Sequence, residues 1–156
     1  MRSAILCVVL AAACSSGGNG EDPPQGGSDL SGFRIERLLV GAVEFEVWIA
    51  ETAGQRAQGF MNATAEQTAP LPDGTSRGML FTFPVESFLS FWMRDTFIPL
   101  DLAYANATGR ILEVHSLIPL NETPVPASTP VQFALEAPAG TFASRGIGVG
   151  TVIDVP

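Results

Sequence analysis

The sequence predicts an all-β, mainly antiparallel fold: a β-sandwich or barrel with one or two short helices. Three observations predict it. Several runs alternate apolar and polar residues with period two, and Val43, Phe45, Val47 and Ile49 do so most cleanly. Gly 16 and Pro 12 cut the chain into short pieces. Few stretches carry helix chemistry. The length of 156 residues suits one domain, and 46% hydrophobic residues supply its core.

The first residues read as an address. Arg2 gives one positive charge, and residues 4–13 are ten apolar residues ending in three alanines. That run is short of the ~20 residues a membrane-spanning helix requires. With small residues before Cys14, it has the form of an export signal over residues 1–13. The site resembles the lipobox of bacterial lipoproteins, with Ala11 where Leu is usual and Leu10 one place earlier. The resemblance implies that Cys14 becomes an acylated first residue and anchors the protein to a membrane. Ser15 rather than Asp after it implies outer-membrane sorting, with the domain facing the periplasm. Cys7 leaves with the signal, so no disulfide supports the domain. Residues 14–32 then form the lipidated Cys and a flexible linker, since Leu30 is their only large apolar side chain.

Residues 33–156 read as the single β domain. Residues 33–40 make a first strand and residues 43–49 a half-buried second one. Trp48 falls on the polar face, where packing explains it better than exposure. Thr52 caps a helix over 53–58 and Gly59 ends it. Residues 62–77, with Pro70, Pro72 and Asp73-Gly74, read as a loop. Residues 78–84 form a strand stopped by Pro84, and 90–94 another. After a turn over 95–99, residues 100–104 alternate again. Asn106 to Gly109 turns the chain into a strand over 110–118. Prolines make 119–130 a loop. Residues 131–136 are a strand, 141–145 one helical turn closed by Gly146, and 150–155 a last strand.

Motifs now accumulate in a recognisable order. Gln55-Arg56, Gly59-Phe60-Met61, Gly78-Met79-Leu80-Phe81, Phe91-Trp92-Met93-Arg94-Asp95-Thr96, Ile98-Pro99-Leu100-Asp101 and Ala139-Gly140 follow one another. Together they resemble the exported bacterial and archaeal family called domain of unknown function 192, over about residues 33–155. The resemblance implies a jelly-roll-like β-sandwich and brings no reaction with it. The family pattern has Glu at the position of Gln55, an Arg near Ala63 and Asn at the position of Asp95.

For chemistry, the segment around Trp92 concentrates large apolar groups and charges. Arg56, Arg94, Asp95, Thr96 and Asp101 are the polar candidates. Two arginines and two aspartates can pair bidentately and lock the turn beside Trp92. The same groups can line a ligand cleft, with Trp92 as a flat wall. Arg56, Trp92, Arg94, Asp95 and Asp101 are therefore the ligand-binding candidates. Met61, Met79 and Met93 suit core packing against rings, with a copper-handling role as an alternative. His115 is the only histidine, and no metal site or cofactor is read from the sequence. A glycan hydrolase using Asp101, with Glu113 or Asp95 as the second carboxylate, is the alternative enzymatic reading. No Gly-x-Ser-x-Gly or dinucleotide pattern is present. The net charge of −8 repels nucleic acid. The sequence thus points to an exported, membrane-anchored binding or scaffolding module that acts on an envelope ligand or protein and catalyses nothing.

Overall fold

A computed structural model describes residues 26–156. The expected signal, Cys7, Cys14 and the linker up to residue 25 lie outside the described residues. The elements run β1 (Arg34–Val40), β2 (Val43–Ala50), α1 (Ala53–Gln58), α2 (Ala65–Thr68), β3 (Ser76–Ser87), β4 (Ser90–Phe91), β5 (Leu100–Ala105), β6 (Ile111–Leu117), β7 (Val125–Pro126), β8 (Val131–Pro138) and α3 (Thr141–Arg145). Six strands form one sheet in the order β1-β2-β3-β8-β5-β6, while β4 and β7 pair separately. The fold is mostly β and mainly antiparallel, as the alternation predicts.

One pair departs from that pattern. β2 and β3 run parallel. Parallel neighbours cannot be joined by a tight hairpin, so the chain must cross over between them. Residues 51–75 make that crossing and contain both α1 and α2. The stretch 62–77 is therefore more than the expected loop. Thr64 and Gln67 form a capping box around α2, each side chain bonding the other's backbone. With α3, three short helices replace the expected one or two.

The six-stranded sheet is buried on both faces. Phe45, Val47, Ile49, Leu80, Ala103 and Leu135 share one face with Phe142 of α3 and Ile153. Trp48, Met79, Phe81, Leu102, Tyr104 and Ala134 share the other, beneath Phe60, Leu89, Met93 and Ala127. Trp48 is buried on that second face, which explains an aromatic among glutamates in β2. The expected last strand is instead a strap of isolated bridges, Val40 to Ile153 and Arg110 to Val152. It ties the end of β1 to the entrance of β6, while the sheet itself stays open. Gly109 is required there, with φ +74° and the Ile153 carbonyl 2.2 Å from where a Cβ would sit.

Other expected boundaries shift for local reasons. β3 passes through Pro84 because its pairing with β8 slips between Thr82 and Ser87. A residue without an N–H is tolerated where the ladder is already broken. The strand expected over 90–94 shrinks to Ser90–Phe91. The end of the expected linker packs on the domain: Leu30 is buried, and Ser28 exchanges bonds of 3.0 and 2.8 Å with the Gln67 side chain. Among the described residues no helix is long and apolar enough to cross a membrane.

Candidate functional site

The crossover between β2 and β3 places α1 and the residues after it over one end of the sheet. The segment from Phe88 to Arg94 comes up beside it. Between them lies a cleft of about 430 Å³. That volume falls within the range of about 300–1,000 Å³ usual for small-molecule sites. Phe60, Phe81, Phe83, Phe88, Phe91 and Trp92 give it aromatic walls. The rings interlock: Phe91 meets Phe81 edge-on at 4.8 Å between centroids and Tyr104 at 5.8 Å. Gly59, at φ 48°, lets the chain leave α1 close over the Phe81 ring. Phe88 and Trp92 stand 70% and 47% exposed at the mouth. Large rings left in water at the rim of a cleft are an unfinished interface.

Arg56, Trp92 and Arg94 line this cleft. Of the expected arginine–aspartate network, only the Arg94–Asp95 pair forms among the described residues. The Arg56 guanidinium donates to the carbonyls of Glu51 at 2.7 Å and Thr82 at 3.0 Å, and lies 4.8 Å from the Phe83 ring centre. Arg94 lies 5.8 Å from the Trp92 ring and 3.7 Å from the Asp95 carboxylate, on the surface. Each arginine is thus held by a ring. Asp95 serves the backbone. Its φ is 51°, and its carbonyl accepts the Asn62 N–H at 2.7 Å. That left-handed position explains why the resembling family carries Asn there, since Asn and Asp tolerate it best. Gln55 has a similar explanation. Its side chain accepts the Thr52 N–H at 3.0 Å and completes the α1 capping box, a task Glu performs equally. Thr96 is buried and donates its hydroxyl to the Arg94 carbonyl at 3.1 Å.

Asp101 is not in the cleft. It shares the opposite face of the sheet with Ala103, buried, and accepts the Phe142 N–H at 3.1 Å. α3 has Gly140 at its start and no capping side chain of its own. Asp101 supplies the cap from 41 residues away. Glu113 and Asp95 do not line the cleft either. Glu113 accepts two bonds from Ser128 and one from His115 at 3.1 Å. Burial opposes its ionisation, but these bonds outweigh burial and hold its carboxyl below the usual value. Met61 lines the cleft, while Met79 and Met93 are buried in the core. No group of three or more His, Cys, Asp or Glu able to hold a metal occurs among the described residues.

The residue that sequence reasoning missed is Glu136 of β8. It lines the cleft, is only 4% exposed, and accepts no hydrogen bond from the described residues. Its cross-strand partners are Met79 on β3 and Leu102 on β5, both fully buried and apolar. Burial alone pushes its carboxyl up to about 8. Nearby, Tyr104 donates its hydroxyl to the Val125 carbonyl at 2.5 Å. Burial, and then the charges of Glu136 and Glu113, raise its phenol above the ordinary value. In the sequence, Gln132, Ala134 and Glu136 read as the solvent face of a strand. The available warning was Trp48 and Tyr104, which needed cover on that same face.

The family model DUF192, described as an uncharacterized ACR, matches residues 37–155. Similar crystal structures include the following two. One is a proposed transcription regulator from Sinorhizobium meliloti 1021, 30% identical, with a TM-score of 0.69 over 78% of this chain and 94% of that one. The other is a protein of unknown function from Novosphingobium aromaticivorans DSM 12444, 27% identical, with a TM-score of 0.69 over 90% of this chain and 100% of that one. No curated protein matches at a significant level.

Proposed function

The chain belongs to the DUF192 family, and from that premise we propose that it is a non-catalytic binding module of the cell envelope. Cys14, acylated, anchors it to a membrane, and the aromatic cleft receives an apolar or aromatic part of an envelope ligand. The exposed rings of Phe88 and Trp92 over a ready-formed cleft carry this reading. Against hydrolysis stands the cleft's content: among the described residues Glu136 is the only carboxylate lining it, and Asp101 faces the other side. Two carboxylates across one bond are what glycoside hydrolysis uses. A copper role loses support because Met79 and Met93 are buried in the core. The description of the Sinorhizobium relative suggests nucleic acid, which a chain of net charge −8 repels.

The test uses a neutral aromatic dye, N-phenyl-1-naphthylamine, on the native protein. Its fluorescence rises on binding, and Trp92→Ala weakens it about tenfold while circular dichroism is unchanged. Equal dye affinity in the variant defeats the cleft as the site. In a Gram-negative host, Cys14→Ala moves the protein from the membrane to the soluble fraction. A variant that still sediments with membranes removes the anchor.

A further inference from the structure

We infer that the cleft is built for an amine: a ligand with a protonated nitrogen on an apolar or aromatic body, seated so that the nitrogen meets the Glu136 carboxyl while the body lies against Phe81, Phe91 and Trp92. The inference rests on the cleft being a binding site and names the chemistry it takes.

Glu136 is the observation that asks for a ligand. Buried polar groups are nearly always hydrogen-bonded, and an exception calls for a cause. Here a carboxyl 4% exposed takes no hydrogen bond from the described residues, and what exposure it keeps opens into the cleft, so whatever enters the cleft is what can pair with it. The sheet could have placed an apolar residue there, since Met79 and Leu102 flank it. Neither cleft arginine fills the need. Arg56 is committed to two backbone carbonyls and Arg94 to the Trp92 ring and Asp95. Burial is the sole cause of the shift in Glu136, so neither guanidinium offsets it.

The ligand class follows from charge and shape. At Glu136 an anion is repelled by an ionised carboxylate and gains little from a neutral one, and the two arginines of the lining are already engaged, Arg56 by carbonyls and Arg94 by the Trp92 ring and Asp95. A neutral hydroxyl offers one ordinary bond. A cation supplies both a charge-assisted bond and the compensation that a buried carboxylate lacks. Aromatic ring faces add attraction for a cation, and they exclude water from the pair. Binding then moves one proton: the Glu136 acid ionises, its proton passes to buffer, and the carboxylate pairs with the ammonium. Amine affinity therefore rises with pH up to about 8 and levels above it.

Other titratable groups do not confuse this signal. Among the described residues, the charged side chains lining the cleft beside Glu136 are Arg56 and Arg94, and both stay cationic. Tyr104, from β5, is held neutral by its raised phenol. His115 packs behind the Tyr104 ring at 5.6 Å between centroids, bonded to Glu113, and does not line the cleft.

The test is calorimetric titration of the intact protein with benzylamine and with benzyl alcohol, its neutral counterpart, from pH 6 to pH 8. Benzylamine binds about tenfold or more tightly than the alcohol. Its affinity gains up to about tenfold per pH unit, and its heat changes with the buffer's ionisation enthalpy as one proton is released. Glu136→Gln, nearly isosteric, erases the amine's advantage and the proton release and leaves the alcohol unchanged. Equal binding of amine and alcohol by the native protein overturns the inference without any variant. So does an amine affinity that Glu136→Gln leaves intact. If the aromatic dye binds through Trp92 but benzylamine does not, the amine specificity falls and the binding module stands. If neither binds, both fall.

Discussion

Two buried carboxylates on opposite faces of one sheet have opposite fates. Glu136 on β8 pairs across with Leu102 on β5, so Asp101, one residue earlier, points the other way. Asp101 is sealed under α3 and satisfied by the Phe142 N–H at 3.1 Å. Glu136 faces the cleft and is satisfied by nothing in the described protein. The two acids are equally buried, at 7% and 4% exposure, so burial alone does not separate structural from functional groups. The partner does. An acid that holds a helix start stabilises the fold, whereas an acid kept in apolar surroundings without a partner costs stability and is retained for what approaches it.

That contrast can be broken by measurement, and Glu136→Gln is the largest lever. The unfolded chain releases the Glu136 proton near the ordinary 4.5, and the folded protein only near 8. Between those values the unfolded state holds fewer protons, so native stability falls as pH rises from about 4.5 and levels beyond about 8. The full difference is on the order of 4 kcal/mol. Urea unfolding at pH 5 and pH 9 shows that loss in the native protein and little of it in Glu136→Gln. A native protein whose stability does not fall across this window contradicts an unpartnered acid.

Next in size is the other face. Asp101→Ala leaves the start of α3 without its acceptor and costs about 1–3 kcal/mol, read as a lower urea midpoint. Dye and amine binding at the cleft stay unchanged, because the sheet separates the two sites. Loss of binding in a folded Asp101→Ala protein breaks the division of labour. Smallest is Asp101→Asn, which keeps an acceptor oxygen for the Phe142 N–H. It costs less than about 1 kcal/mol, and a cost as large as that of Ala shows that charge, not the hydrogen bond, holds α3.

How far the sequence speaks for itself differs along the chain. Thr52 and Gln55 announce α1 because a capping box is a local device, closed within four residues. Thr64 and Gln67 announce α2 in the same way, but Pro70 and Pro72 beside them give the stretch the composition of a loop. Arg56, Trp92 and Arg94 were legible as a group because ring and charge types cluster around them. Their partners were not. Arg56 turned to carbonyls and a ring, and Asp101 to a helix 41 residues later. Glu136 was hidden by its own alternation, which in isolation is indistinguishable from a strand with one wet face.

Period-two patterning, turn residues and motif order were enough to determine an all-β domain and the DUF192 family, because those signals are carried by neighbours in the chain. Strand pairing across the sheet is not so carried. The parallel β2–β3 crossover, the strap that joins both sheet edges and the burial of both faces exist only once distant segments meet. That meeting gave Asp101 a helix to cap and left Glu136 at the floor of a cleft, because the partner available to a side chain is set by which segment covers its face.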